Sequence, residues 1–240
     1  MKLLAVDTAT EACSAALLVD GVVTSREAVL ARGHAERILP MVDELLREAG
    51  LALGALDAIA FGRGPGAFTG VRIAVSIAQG LAFGAGIPAV AVSDLAALGA
   101  LALERAMAEC GAAAADAEAL VCLDARMGEV YYGRVRAHPQ LGVELLEEGL
   151  AAPAALFTDL PGDGRVRVAA GHGFSAYPAL AERLGPSLRA IWPELLPRAA
   201  EIARLGARAF AAGLAVPAEA AAPVYLRDQV ASQSGRPRAQ

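Results

Sequence analysis

The sequence predicts an α/β protein made of two similar halves, and three observations carry that expectation. Short apolar runs bounded by turn residues, which read as strands, alternate with segments whose apolar residues recur every three or four positions, which read as helices. The 240 residues are 56% hydrophobic and 20% charged, enough apolar side chain for a sizeable core and far from the composition of a disordered chain. Each half also opens alike, with a strand, a turn led by aspartate (Asp7, Asp124) and a second strand. The expected division is an N-terminal lobe of residues 1–107, a C-terminal lobe of residues 108–227 and a polar, disordered tail, 228–240.

In the first half, residues 3–6 and 12–19 are apolar strands, and Asp20-Gly21 is a hairpin turn into a third strand, 22–29. Ile38, Val42, Leu45 and Ala49 recur at helical spacing over 35–49, with Pro40 forcing a kink or a late start and Gly50 ending the helix. Residues 58–61 form a strand, the glycine-rich stretch 62–70 a loop, and 71–83 an apolar helix that Thr69 is placed to cap. A strand over 88–92 follows, and Ser93 caps a helix running to about Met107.

The second half repeats the plan. Strands 120–123 and 130–136 flank a turn over 124–128, and strand 165–170 leads into the turn Gly171-His172-Gly173. Residues 177–184 read as a helix and 198–212 as an amphipathic one. Past Pro217, the segment 223–227 precedes the tail.

Charge and cysteines narrow the function classes. Twenty-one basic against 26 acidic side chains give a net charge of −5, opposite to the basic footprint of a stand-alone nucleic-acid binder, so any nucleic-acid role is indirect or shared. Cys13, Cys110 and Cys122 are an odd set in a chain too long to need disulfides, which points to a reducing compartment. Asp7 and Glu11 leave no room for a signal-peptide core, so the expected location is cytoplasmic. The uncharged run 73–93 holds Ser76, Gln79, Gly80, Gly84, Gly86 and Pro88 and reads as a buried helix and strand rather than a membrane span.

Few residues promise chemistry. Gly62-Arg-Gly-Pro-Gly-Ala67 formally fits G-x-G-x-x-A, but no acidic residue stands about 20 positions on to hold a ribose, so the stretch reads as a tight structural turn. Asp7 ends the first strand, where α/β sheets present ligand groups and a carboxylate can orient Mg²⁺ through water; Asp124 is its counterpart. The alternative is that each aspartate closes its own turn. His34, His138 and His172 fall in separate segments without metal-ligand spacing, so no metal is expected.

Taken in order, six stretches carry a family resemblance: Asp7-Thr-Ala-Thr, His34-Ala-Glu-Arg-Ile-Leu-Pro-Met-Val, Gly62-Arg-Gly-Pro-Gly-Ala-Phe-Thr-Gly-Val-Arg-Ile, Gln79-Gly-Leu-Ala, Asp124-Ala-Arg-Met-Gly-Glu-Val-Tyr and Pro223-Val-Tyr-Leu-Arg. The chain resembles the TsaB (YeaZ-like) family, dimerisation subunits of the bacterial tRNA threonylcarbamoyladenosine synthesis machinery, over about residues 1–230, loosely within 134–198. The resemblance implies a duplicated actin-like, ribonuclease H-like fold in two lobes. It implies a subunit without activity of its own, which binds and activates the catalytic paralogue TsaD. That paralogue transfers threonylcarbamoyl to the adenosine next to the anticodon in tRNAs reading A-starting codons. A TsaE-like ATPase is the further implied partner, with a homodimer when the chain is alone, tRNA only indirectly and no membrane.

The metal-binding His-x-x-x-His of TsaD corresponds here to Asp94 and Leu98, which cannot rebuild an imidazole pair. No glycine follows Asp7 in its turn, so Asp7, Thr8 and Asp124 are at most a vestigial nucleotide site. The isolated chain then needs no cofactor, and ATP or ADP with Mg²⁺ is left to the complex. The resemblance places the partner interface on two helices, through Ile38, Met41, Val42 and Leu45 and through Ala74, Ala78 and Ala82. Leu39, Met41 and Leu46 widen the apolar arc of the first helix beyond one core contact, although burial of both helices within their own lobe has the same pattern. Two rival readings stand beside this one: a small ATP-dependent kinase with Asp7 and Asp124 flanking the nucleotide, and a purely structural homodimer.

Overall fold

The computed structural model describes residues 1–227, and the expected tail 228–240 lies outside the described residues. Two five-stranded mixed sheets of identical plan form the two halves. In the first, β1 (Lys2–Asp7), β2 (Ala12–Val19) and β3 (Val22–Val29) make an antiparallel meander, and β4 (Ala58–Gly62) and β5 (Ala89–Val92) add in parallel beside β1. In the second, β6 (Glu118–Arg126), β7 (Glu129–His138) and β8 (Gly142–Ala151) repeat the meander, with β9 (Arg167–Ala170) and β10 (Ala190–Trp192) parallel beside β6. The duplicated actin-like arrangement is therefore present.

Both faces of the first sheet are covered, which is why its central strands are apolar throughout rather than alternating. Leu4 and Val6 of β1, with Ile59 and Phe61 of β4, face a core shared with α1 (His34–Glu48) and α2 (Phe68–Ala85). Leu3, Ala5, Ala58 and Ala60 face the opposite core, under α6 (Ala199–Ala211). The helix α1 begins at His34 and runs through Pro40, which sits on its exposed side, so the proline delays nothing. Thr69 lies inside the first turn of α2 and caps nothing, whereas the Ser93 Oγ accepts the Ala96 N–H at 3.4 Å. Among the described residues α2 is the one helix long and apolar enough to cross a membrane, but Val71, Ala74, Val75, Ala78 and Ala82 are core residues of the first lobe.

The helices do not respect a division at 107/108. Although it follows β5, α3 (Asp94–Cys110) lays Leu95, Leu98, Ala102 and Ala106 on the second sheet, against Val121, Leu123, Val135 and Val168. Gly99 makes this approach feasible, because a Cβ there would lie 2.5 Å from Val135. The last helix, α6, returns to the first sheet, where Gly206 meets Ala60 and the Ala199 N–H donates to Ser14 Oγ at 2.9 Å. Each lobe is thus completed by a helix from the other half of the chain. Two short helices, α4 (Gly173–Ala176) and α5 (Pro178–Leu184), cover the outer face of the second sheet.

Candidate functional site

Three turns meet where the lobes face each other: residues 7–11 at the end of β1, 124–128 at the end of β6, and 171–173 after β9. His172 Nδ1 accepts the Asp124 N–H at 3.0 Å, which assigns the ring proton to Nε2, 3.7 Å from Glu11 Oε2 of the other lobe. Burial holds the His172 imidazole below its ordinary pKa despite Glu11 and Asp124 nearby, so the ring is neutral at neutral pH. Asp124 Oδ1 accepts the Arg126 N–H at 2.9 Å and the Tyr177 hydroxyl at 3.2 Å, while Oδ2 lies 3.1 Å from the Arg126 guanidinium. Asp124 therefore closes its own turn, in which Arg126 and Met127 adopt positive φ.

The three residues expected at a vestigial nucleotide site each have hydrogen-bond partners within the chain. Thr8 donates its hydroxyl to the Gly70 carbonyl at 2.6 Å, tying the β1 turn to the first turn of α2. The glycine-rich segment fills the space beside that turn: a Cβ at Gly70 would lie 2.0 Å from the Thr8 carbonyl, and one at Gly66 2.4 Å from that of Ala9. Asp7 is 0% exposed. The Thr8 hydroxyl and the Asp124 carboxylate are thus engaged within the chain.

Asp7 instead faces Asp94, the first residue of α3, which is also 0% exposed. Asp7 Oδ1 accepts the Ala9 N–H at 2.9 Å, and Asp94 Oδ2 accepts the Gly64 N–H at 2.5 Å. The remaining oxygens, Asp7 Oδ2 and Asp94 Oδ1, are buried without another donor. Burial pushes Asp7 up to about 6; burial and the Asp7 charge push Asp94 well above the carboxylate range. Gly62 packs on the pair, and Leu98 is buried in the second lobe's core. Among the described residues no three His, Cys, Asp or Glu side chains are grouped to hold a metal ion.

The expected interface residues need correction. Ile38, Met41, Val42, Leu45, Ala78 and Ala82 all belong to the core between α1, α2 and the first sheet, and Ala74 is 0% exposed. Their stripe is the one that must face the sheet, so it has no surface to offer a partner. The same two helices present a different face. Leu39 is 47% exposed and Phe68 54%, and with Ala35, Arg72, Ile73 and Ile77 they line a shallow apolar groove between α1 and α2. The Arg72 guanidinium stacks 3.6 Å from the Phe68 ring centroid, and its Nε–H donates to the Tyr225 hydroxyl at 2.7 Å. The segment carrying Tyr225 also reaches the second lobe, where Arg227 pairs with Glu129 at 2.8 Å and donates to the Ala125 carbonyl.

Neither buried cysteine has the setting of a nucleophile: burial raises the Cys13 thiol to about 11 and raises Cys122 further. At the far end of the second sheet, the buried Glu118 carboxylate is surrounded by Arg134, Arg136 and Arg167 at 2.5, 3.3 and 3.4 Å. Sequence reasoning had no means of finding this cluster or the Asp7–Asp94 pair, whose members are far apart in the chain. The one local signal was an aspartate directly after a helix cap in an otherwise apolar run.

Comparison with known proteins gives a consistent picture. The family described as "TsaD: tRNA N6-adenosine threonylcarbamoyltransferase" matches residues 20–233. A Haemophilus influenzae protein named "tRNA threonylcarbamoyladenosine biosynthesis protein TsaB" is 39% identical over 96% of this chain and 95% of its own length. The Escherichia coli protein of the same name is 41% identical over 96% of each. A crystal structure from Pseudomonas aeruginosa, titled as a protein with similarity to peptidase YEAZ, superposes with a TM-score of 0.82 at 44% identity, covering 94% of this chain and 99% of that one.

Proposed function

The chain belongs to the TsaB family, and on that premise we propose that it is the non-catalytic partner subunit required for threonylcarbamoyl transfer to the adenosine beside the anticodon of tRNA. It acts by binding and activating a TsaD-like catalytic paralogue. The observation that carries this reading is a contrast on one lobe: the turn after β1 is packed shut around Asp7, while the neighbouring α1–α2 face leaves Leu39 and Phe68 half exposed. A shut turn is poor equipment for chemistry, and an apolar face of this kind suits a protein partner.

The partner interface lies on Leu39, Phe68, Ile73 and Ile77, not on the stripe beneath them. The paralogue takes this face in the complex, and a second copy takes it when the chain is alone. A TsaE-like ATPase completes the machinery, with ATP or ADP and Mg²⁺ handled in the complex rather than by the isolated chain; these assignments rest on the family resemblance. Bacterial relatives named for tRNA threonylcarbamoyladenosine biosynthesis support a cytoplasmic location.

Reconstitution tests the reading. tRNA modification by the purified paralogue and ATPase should require this chain, while the chain alone should neither modify tRNA nor release phosphate from ATP. Phosphate release by the isolated chain would favour the kinase alternative, and full modification in its absence would overturn the proposal.

A further inference from the structure

We propose that Asp7 and Asp94 share a single proton and that this proton pins the junction between the two lobes. The argument begins with donors. Asp7 Oδ1 accepts the Ala9 N–H and Asp94 Oδ2 the Gly64 N–H, with the Thr8 N–H a weaker donor towards Asp7. Asp7 Oδ2 and Asp94 Oδ1 are buried without a hydrogen-bond partner, both residues are 0% exposed, and the two carboxyls interact directly. Two bare carboxylates in contact away from water are untenable, since each buried charge costs several kcal/mol and they repel. One proton shared between the two carboxyls removes the repulsion, supplies a donor where none is present and leaves the pair with one negative charge.

Other groups do not supply a second counter-charge in contact. Arg63, after β4, and His34, on α1, act on the pair from a distance, and Cys13 on β2 is a neutral thiol. The Arg63 guanidinium is taken by Glu148 at 2.8 Å and the His34 Nε2 by the Thr10 carbonyl at 2.9 Å. Gly62 packs directly on both carboxyls: a Cβ there would lie 2.5 Å from Asp94 Oδ1 and 2.8 Å from Asp7 Oδ1.

Position turns this proton into a pin. Asp7 ends the central strand of the first sheet. Asp94 begins α3, the helix packed on the second sheet, and also holds Gly64 of the loop into α2. As pH rises the O–H bond breaks, the proton leaves to the solvent base, and two like charges remain in contact. Both carboxyls titrate higher folded than unfolded, so the folded state binds the extra proton. The pair's stabilisation is full below the ordinary aspartate range and declines as pH rises through the folded values. The proton belongs to the pair rather than to either residue.

The direct readout is infrared spectroscopy of the full chain at pH 7.5, where a protonated carboxyl gives a carbonyl stretch apart from the carboxylate bands. One such band is expected in the wild type. It should vanish in Asp94→Asn, whose amide still accepts from Gly64 and replaces the shared proton with an N–H. Hydrogen exchange at Gly64 and Asp94, corrected for intrinsic rates, should accelerate with pH by up to roughly tenfold per unit between the ordinary aspartate range and the pair's upper titration, the slope of one linked proton, and level off above it. Asp94→Asn should flatten that slope. Absence of the band in the wild type, which requires no variant to fold, would overturn the proposal. So would a band unchanged in Asp94→Asn, or Gly64 exchange without this pH dependence.

Discussion

Arg63 and Glu148 join the two lobes: the guanidinium just after β4 and the carboxylate on β8 meet at 2.8 Å, and Glu148 also accepts the Ser93 hydroxyl at 3.1 Å. Both side chains are about four-fifths buried, so water screens the pair less than an exposed one. A double-mutant cycle over Arg63→Ala and Glu148→Ala should give a coupling of about 1–2 kcal/mol. Each single variant should lower the melting temperature by roughly 2–4 °C per kcal/mol lost. Additive effects would mean the contact is incidental.

Two glycines one helix apart should respond with opposite sign. Gly62→Ala drives a methyl into the Asp7–Asp94 pair and should cost about 1–3 kcal/mol. Gly80→Ala, on the open side of α2 with nothing within 4 Å, should stabilise the isolated chain by about 0.5–1 kcal/mol. Thermal melts of the two variants decide it, and equal destabilisation would contradict the packing described for both.

The elements legible in the sequence are those whose burial follows one local period. The β1–β3 meander with its Asp20-Gly21 turn, the apolar stretch of α2 and the Ser93 cap all emerge as expected. The strand β8 was missed because Gly142–Ala151 is a half-exposed edge carrying Glu144, Glu147 and Glu148, and a bulge opposite Arg134 and Val135 breaks its alternation. The three residues of β10 are too few to show any period. Periodicity also cannot say which sheet a helix covers, so the crossing of α3 and α6 between halves was hidden. For the same reason α1 and α2 showed apolar surface to spare without showing which arc of it faced the sheet.

Glu118 should dominate the acid response of the second lobe. Burial opposes its ionisation, yet Arg134 and then Arg136 hold its carboxylate below the ordinary glutamate range, with Arg167 also in contact. A lowered folded value means the unfolded chain binds the proton more readily, so the stabilisation is present above the ordinary glutamate value and is lost as pH falls through the folded one. Glu118→Ala leaves three guanidiniums facing a buried vacancy and should cost about 3–5 kcal/mol. It should also flatten the wild-type loss of stability below roughly pH 4. Denaturant titrations from pH 3 to 7 check both, and an unchanged acid limb would assign the loss elsewhere.

The two faces of α1 separate folding from partnership. Met41 is 1% exposed and packs in the first lobe's core, so Met41→Glu buries a carboxylate with no partner. It should unfold the chain or cost at least about 4 kcal/mol. Leu39, two residues earlier and 47% exposed, lies on the groove with Phe68, Ile73 and Ile77. Leu39→Glu should change stability by no more than about 0.5 kcal/mol, because its carboxylate stays in water in the isolated chain. In the complex the same charge is trapped against an apolar partner and should weaken association by about 2 kcal/mol or more, roughly thirtyfold in Kd. Melting curves and gel filtration with the TsaD paralogue distinguish the faces. A stable Met41→Glu variant that has lost only its partner would restore the buried stripe as the interface. A Leu39→Glu variant that binds with unchanged affinity would remove the groove from it, and with the groove the geometric support for the partner role.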